Sequence, residues 1–189
     1  MNTATVERME KALARSAAGN HAAFGAIMHE YQAMVFSMAY YFLHDRSLAE
    51  ETAQEVFLRL YQNLGAIKSP AHLMLWLRKV TNRRCIDQAR RMPPLPLLAL
   101  DEAPEPATSP GVSDPLLSER LRRMVASLPE DSRMVIILRY QEELDLAEIA
   151  EVLDIPINTV KSRLQRALAV LRDKVTSALE MRTYERPRE

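Results

Sequence analysis

Apolar residues in the first half of the chain recur at three- and four-residue steps. Phe24, Ile27, Met28, Tyr31, Met34, Val35, Met38 and Phe42 fall on one side of a helical wheel, which predicts one long amphipathic helix. The Met-rich stripe of this helix reads as core, or as a surface covered by another helix. The polar run His44–Ser47 breaks it, and Ser47 with Glu50 three residues on reads as a capping box opening the next helix. That helix, LAEETAQEVFLRLYQNL (48–64), sets Ala49, Ala53, Val56, Phe57, Leu60 and Leu64 on one side, and Gly65 ends it. After a loop over Ile67–His72, a third helix runs from about Ala71 to Arg91. Its pattern is less regular, because Arg84 and Arg91 fall near the axis of Leu73, Leu77 and Val80.

The second half reads as four helices: Leu116–Leu128, Asp131–Glu142, Leu146–Leu153, and Pro156 to about Met181. Pro129, the Glu143–Asp145 corner and Asp154–Pro156 separate them. The third is short and joined to the fourth by a tight turn, which is helix-turn-helix spacing. Between the halves, Met92–Pro115 holds seven of the eleven prolines and cannot be regular structure. It reads as a linker, although the apolar patch Leu95–Leu100 is unusual for a spacer. The expected architecture is all-α: two small helical domains, 1–91 and 116–189, joined by an acidic Pro-rich linker, 92–115. The first twenty residues and the tail Arg182–Glu189 read as mobile ends.

Composition supports this and narrows the setting. Of 189 residues 48% are hydrophobic and 26% charged, with only four glycines, which is helix-forming, globular composition. Cys85 is alone, so an intrachain disulfide is ruled out and a reducing compartment is the simplest reading. The N-terminus lacks a signal-peptide core, and no stretch approaches the ~20 apolar residues of a membrane span, so a cytoplasmic location is expected. Zero net charge argues against a protein that coats nucleic acid by bulk electrostatics. The charge is segregated, however. Residues 1–91 carry +4 (twelve basic, eight acidic), 92–115 carry −4 (four acidic), and 160–189 carry +4 (eight basic, four acidic).

Two basic segments attract attention. The third helix is rich in cations toward its end: Arg78, Lys79, Arg83, Arg84, Arg90 and Arg91. On the last helix, Val160, Leu164, Ala167, Leu168, Leu171 and Val175 share one stripe. Opposite lie Asn158, Thr159, Ser162, Gln165 and Arg166, with Arg163 and Lys161 at the borders. Such side chains reach base edges and phosphates in a major groove, and Pro156 at the first turn leaves backbone donors suited to a phosphate. Periodicity alone is equally met by a solvated face on a core helix; the short helix and tight turn before it shift the balance toward DNA.

Catalysis finds little to stand on. His21, His29, His44 and His72 are scattered, none at metal-ligand spacing, so no metal and no cofactor is expected. Cys85, amid Arg83, Arg84 and Asp87, reads either as a redox-sensing thiol or as a residue packed on a helix flank. Trp76 reads as core, with a melted base as a second contact.

The segment LPEDSRMVIILRYQEELDLAEIAEVLDIPINTVKSRLQRALAVLR (128–172) resembles region 4 of the sigma-70 family, in its extracytoplasmic-function (group IV) branch. The matching positions are Leu128-Pro129, Arg133, Leu138, Glu148–Glu151, Thr159–Arg163 and Arg166-Ala167. The family usually has Gly where Asp154 and Asn158 stand, and these are the next best residues for left-handed or capping geometry. AEETAQEVFLRLYQNL (49–64) is similar to the region 2 helix that docks on the clamp helices of RNA polymerase, with Glu51, Gln54, Glu55, Val56 and Phe57 on its motif. LMLWLRKVTNRRCIDQARR (73–91) is similar to the helix that recognises and opens the −10 element, with Trp76-Leu77, Val80, Asp87 and Arg90 in register. Here Arg83 stands where the family commonly has Asn, and Asn82 comes one position early.

The resemblance implies a promoter-specificity subunit, not an enzyme. Its partners would be core RNA polymerase and promoter DNA, with room for an anti-sigma factor. Asn158, Thr159, Lys161, Ser162, Arg163 and Arg166 would meet the −35 duplex. Lys79, Asn82, Arg83, Arg84, Asp87 and Arg90 would meet the melted −10 strand, and Glu51, Gln54, Glu55 and Phe57 the polymerase. The linker would thread toward the RNA exit path. The alternatives are a sigma-like decoy that binds polymerase or an inhibitor without initiating transcription, and an ordinary helix-turn-helix regulator. Intact basic faces count against the first, and the 49–64 match is superfluous to the second.

Overall fold

The computed structural model describes residues 3–91 and 115–184. The linker, save Pro115, and the last five residues of the tail lie outside the described residues. The chain divides into two compact units, Met1–Pro93 and Pro94–Glu189. Among the described residues every regular element is helical, in keeping with the all-α expectation.

Unit 1 holds four helices: α1 (Thr3–Ala17), α2 (His21–Leu43), α3 (Arg46–Gln62) and α4 (Pro70–Arg91). The N-terminal segment expected to be mobile is α1, a packed element. Met9, Ala12, Leu13 and Ser16 recur at helical steps and are buried against the rest of the unit. Arg8 adds an ion pair to Glu30 of α2. The long helix begins at His21, three residues ahead of the first residue of its apolar stripe, because Asn20 caps it with Oδ1 accepting from the Ala23 amide at 2.9 Å. It is the central helix, touching α1, α3 and α4. Met38, Ala39, Tyr40, Phe42 and Leu43 are all buried, so most of its C-terminal end is enclosed, with Ser37 and Tyr41 on the partly open side.

The start of α3 corrects the expected capping box. Asp45 is the cap, its carboxylate accepting from the Leu48 amide at 2.8 Å, and Glu50 is occupied by Arg46 at 2.9 Å. A charged acceptor placed two residues earlier outcompetes the Ser47 hydroxyl. The helix also stops before Gly65, at Gln62, with Asn63 Nδ2 donating to the Arg59 carbonyl at 2.8 Å and a short 3-10 turn over Leu64–Ala66. Pro70 occupies the first turn of α4, where its missing amide goes unneeded, and Ser69 Oγ accepts from the His72 amide at 3.2 Å.

Unit 2 holds α5 (Pro115–Ala126), α6 (Glu130–Tyr140), α7 (Leu146–Leu153) and α8 (Ile157–Tyr184). Five consecutive residues of α6, Met134–Leu138, are buried, so this helix is enclosed by α5, α7 and α8. Arg133 gathers the end of α5: Nη2 donates to the carbonyls of Ala126 at 2.5 Å and Leu128 at 3.1 Å. Burial lowers its guanidinium pKa, which nearby Glu130 partly offsets. Arg139 Nη1 donates to the Leu144 carbonyl at 2.8 Å, closing the corner before α7. The last helix runs to Tyr184, so the expected mobile tail begins as helix.

Candidate nucleic-acid interfaces

The turn between α7 and α8 is fixed at both ends by side chains and backbone. Asp145 Oδ1 accepts from the Ala147 and Glu148 amides at 2.8 Å each, and Glu148 Oε2 accepts from the Asp145 amide at 2.8 Å: a complete capping box. At the other end Asp154 is left-handed (φ 57, ψ 45) and its amide donates to the Ala150 carbonyl. That is the conformation Gly would take most easily, and Asp tolerates it. Asn158, the other position where Gly was expected by resemblance, is an ordinary helical residue in the first turn of α8. Pro156 supplies its carbonyl to the Thr159 amide at 2.8 Å and to the Val160 amide at 3.2 Å, and has no side-chain acceptor to cap the helix.

Val160 and Ala167 anchor α8, at 0% and 1% exposure. Asn158, Lys161, Ser162 and Arg166 are exposed and Thr159 half-buried, so the sequence-derived face is a solvent face. Its side chains are laid along the helix: Ser162 Oγ donates to the Asn158 carbonyl at 2.9 Å and Arg166 Nε to the Ser162 carbonyl at 3.2 Å. Arg163 differs. Its Nη2 is 2.6 Å from Asp131 Oδ2 in the first turn of α6.

In unit 1 the candidate −10 residues separate. Lys79, Arg83 and Arg90 fall within a narrow sector opposite the core stripe of Leu73, Leu77, Thr81 and Cys85, with Asp87 at its margin. Arg83 and Arg90 are exposed and Lys79 half-buried. Arg84 lies on the other side and bridges helices: Nη1 is 3.5 Å from Glu55 of α3, and Nη2 is 3.1 Å from Asp87. This explains why a cation sat near the axis of the apolar pattern. Asn82 is 7% exposed and faces inward, with a buried Oδ1 that has no partner among the described residues. Trp76 is partly buried against the core. Cys85 is fully buried and burial pushes its thiol pKa up to about 12, which overturns the redox-sensor reading.

On α3 an exposed stripe of Glu51, Gln54, Glu55, Leu58 and Gln62 lies away from the buried Thr52, Val56 and Leu60. Phe57, expected by resemblance to face a partner, is instead 4% exposed and part of the core, as its place on the apolar side of the wheel requires. Leu58 and Tyr61, at 58% and 44% exposure, are the apolar residues that α3 does show to solvent. Tyr61 is steadied edge-on by Phe24, ring centres 5.2 Å apart. Sequence reasoning passed over both; the signal available was an apolar residue falling outside the core stripe. It also passed over Ile157, 40% exposed in the first turn of α8, and Asp131. Among the described residues no group of His, Cys, Asp and Glu is placed to hold a metal ion, and no helix is long and apolar enough to cross a membrane.

Comparison with known proteins identifies the family. Residues 27–92 match the family model of sigma-70 region 2, and residues 118–171 that of sigma-70 region 4. The chain is 32% identical over 170 residues to the ECF RNA polymerase sigma factor SigW of Bacillus subtilis (strain 168), covering 83% of this chain and 91% of that one. It is 31% identical over 185 residues to the ECF RNA polymerase sigma-E factor of Escherichia coli (strain K12), covering 90% and 92%. Among solved structures, CnrH in complex with the cytosolic domain of CnrY has a TM-score of 0.68 at 20% identity, over 90% of this chain and 98% of that one. The sigma factor RpoE in complex with the anti-sigma factor NepR from Bartonella quintana has a TM-score of 0.64 at 18% identity, over 81% and 96%. These two speak for the fold.

Proposed function

Since the chain belongs to the extracytoplasmic-function branch of the sigma-70 family, and so is a promoter-specificity subunit that works with core RNA polymerase and promoter DNA, we propose a division of labour between its two units. Unit 2 reads the −35 duplex through the exposed face of α8. Asn158, Lys161, Ser162 and Arg166 meet base edges or phosphates, and Ile157 offers apolar contact for a thymine methyl. Unit 1 takes the melted −10 strand on Lys79, Arg83 and Arg90 of α4, where cations answer the phosphates. Arg83, in place of the family's common Asn, gives this chain its own −10 preference. Asn82 acts from inside the core by shaping α4. The polymerase meets α3 on Glu51, Gln54, Glu55 and Leu58, with Phe57 supporting that surface from beneath.

The observation that carries the reading is the α8 face: a firmly capped short helix and a left-handed turn lead into an exposed surface of Asn158, Lys161, Ser162 and Arg166, with Ile157 beside it and Arg163 at its edge. The mechanism is binding rather than catalysis, the protein favouring extruded over stacked bases at a cost of a few kcal/mol per step. Near-zero net charge suits a subunit that meets DNA in company with polymerase. A cytoplasmic location follows from that company. An anti-sigma factor joins the partners on the strength of family membership, and co-purification of an inhibitor that core polymerase displaces would establish it.

The deciding experiment is transcription by a bacterial core polymerase, with the full-length protein added, from a library randomised at both promoter elements. Enriched products sharing two spaced elements are expected. Core binding without transcripts would favour the decoy, and sequence-specific duplex binding by the free protein without core binding would favour an ordinary regulator.

A further inference from the structure

Of Lys161, Arg163 and Arg166, the cations that the resemblance assigns to the −35 duplex, Arg163 alone is held by a carboxylate from another helix among the described residues. The two side chains differ in exposure, 22% for Arg163 and 60% for Asp131, so the guanidinium lies back against α6 while the carboxylate stays in water. Asp131 is well placed to hold it. In the first turn of α6 the uncompensated backbone amides favour a negative charge, so the anchor is itself anchored. Arg166, three residues on, leans only on the Ser162 carbonyl of its own helix.

A guanidinium has five donors in a rigid fork, and Asp131 engages one nitrogen. The remaining donors are left for an incoming group, in an orientation already chosen. An anionic residue beside a surface meant for a polyanion weakens binding to every DNA sequence alike. Its presence is therefore unfavourable for affinity as such, and has to be explained by what it does to Arg163.

We propose that Asp131 is a positioning residue for promoter recognition: by fixing the Arg163 guanidinium at the edge of the α8 face, it sets the register in which that face meets the −35 element. An arginine free to swing would satisfy phosphates in several registers, whereas one clamped in place fits one. The proposal rests on the reading of α8 as the −35 helix.

The test uses full-length protein with bacterial core polymerase, on promoter fragments that share a −10 element and carry a randomised −35 element. The measured quantity is the enrichment of the preferred −35 sequence over scrambled ones, beside total binding to the scrambled set. For Asp131→Asn, binding to scrambled fragments should rise about 2- to 5-fold while the preference falls about 3- to 10-fold, part of what one good base contact contributes. Glu130→Gln removes the same charge from the same turn without touching Arg163. It should raise overall binding and leave the preference as it was. Arg163→Ala should lower the preference, and adding Asp131→Asn to it should lower it no further, which separates positioning from any loosening of α6. An Asp131→Asn protein with wild-type preference would overturn the proposal, as would an equal drop in the absence of Arg163. A wild-type holoenzyme with no −35 preference would bring down the reading of α8 itself, and the role of Asp131 with it.

Discussion

The two helices proposed to face DNA are built on opposite plans. On α4 the cations Lys79, Arg83 and Arg90 share one helix with Leu73, Leu77, Thr81, Asn82 and Cys85, all buried, and Arg84 is tied to α3. Over Ile157–Arg166 of α8 only Val160 is fully buried, and the polar residues form a surface of their own. Recognition and stability are thus entangled in unit 1 and nearly separable in unit 2. A strand-opening helix must resist being deformed by the DNA it opens, and a core position supplies that stiffness. A helix that docks on intact duplex needs its turn held and, at Arg163, one anchor from α6.

The largest effect expected from this contrast is at Leu77, fully buried beneath the α4 face. Leu77→Ala should destabilise unit 1 by about 2–5 kcal/mol, with −10 function lost in step with the folded fraction. Denaturant unfolding alongside promoter melting measures both, and promoter melting lost with stability intact would break the comparison. Next come the exposed arginines. Arg166→Ala should weaken discrimination at one −35 position by about 1–3 kcal/mol and leave thermal unfolding unchanged. Arg83→Ala should alter −10 choice in the same selection. A drop in melting temperature for Arg166→Ala comparable to that of Leu77→Ala would erase the distinction.

Smaller effects sharpen the picture. Asp145→Ala removes the capping box of α7 and should lower the stability of unit 2 by about 1 kcal/mol, read by thermal denaturation. Cys85 gives a pH signature of its own. Its thiol pKa is raised from 9.0 to about 12 in the folded protein, so the protonated form is favoured by folding. Its contribution is fully present below pH 9 and is lost as pH rises from 9 toward 12, because only the unfolded chain gains the thiolate readily there. Urea unfolding across that window should show a steeper decline for the native protein than for Cys85→Ala, and equal slopes would contradict the burial argument.

Much of the fold was legible because apolar periodicity and turn chemistry agreed. The bounds Leu146–Leu153 for α7 coincide with those expected, since Asp145 and Asp154 mark both ends by local hydrogen bonding. The N-terminal helix α1 went unread although Met9, Ala12, Leu13 and Ser16 recur at helical steps, because a short stripe at a chain end shows its burial only once the helices it packs on are in place. Asp45 displaced Ser47 as a cap through acceptor strength, which spacing does not express. The exposed α8 face was legible as a surface, because each helical residue has a computable direction. What lay beyond reach were contacts joining helices distant in sequence: Asp131 with Arg163, and Glu55 with Arg84. Phe57 shows the wheel and the family pattern giving different answers, and in this chain the wheel describes the side chain.

The last helix carries one more lesson. Its 28 residues form a single rod of about 42 Å, in which the recognition segment continues without a break into the stripe that packs on α6. The two are therefore locked in phase. On the proposed reading of α8, substitutions at its exposed positions from Asn158 to Arg166 would change which promoters are read while leaving the aim of the helix unaltered. A single inserted residue between this segment and Ala167 would swing the whole surface by about 100° away from the duplex. Specificity on this reading is altered by exchange of side chains, whereas a change in the length of the segment would turn the surface aside.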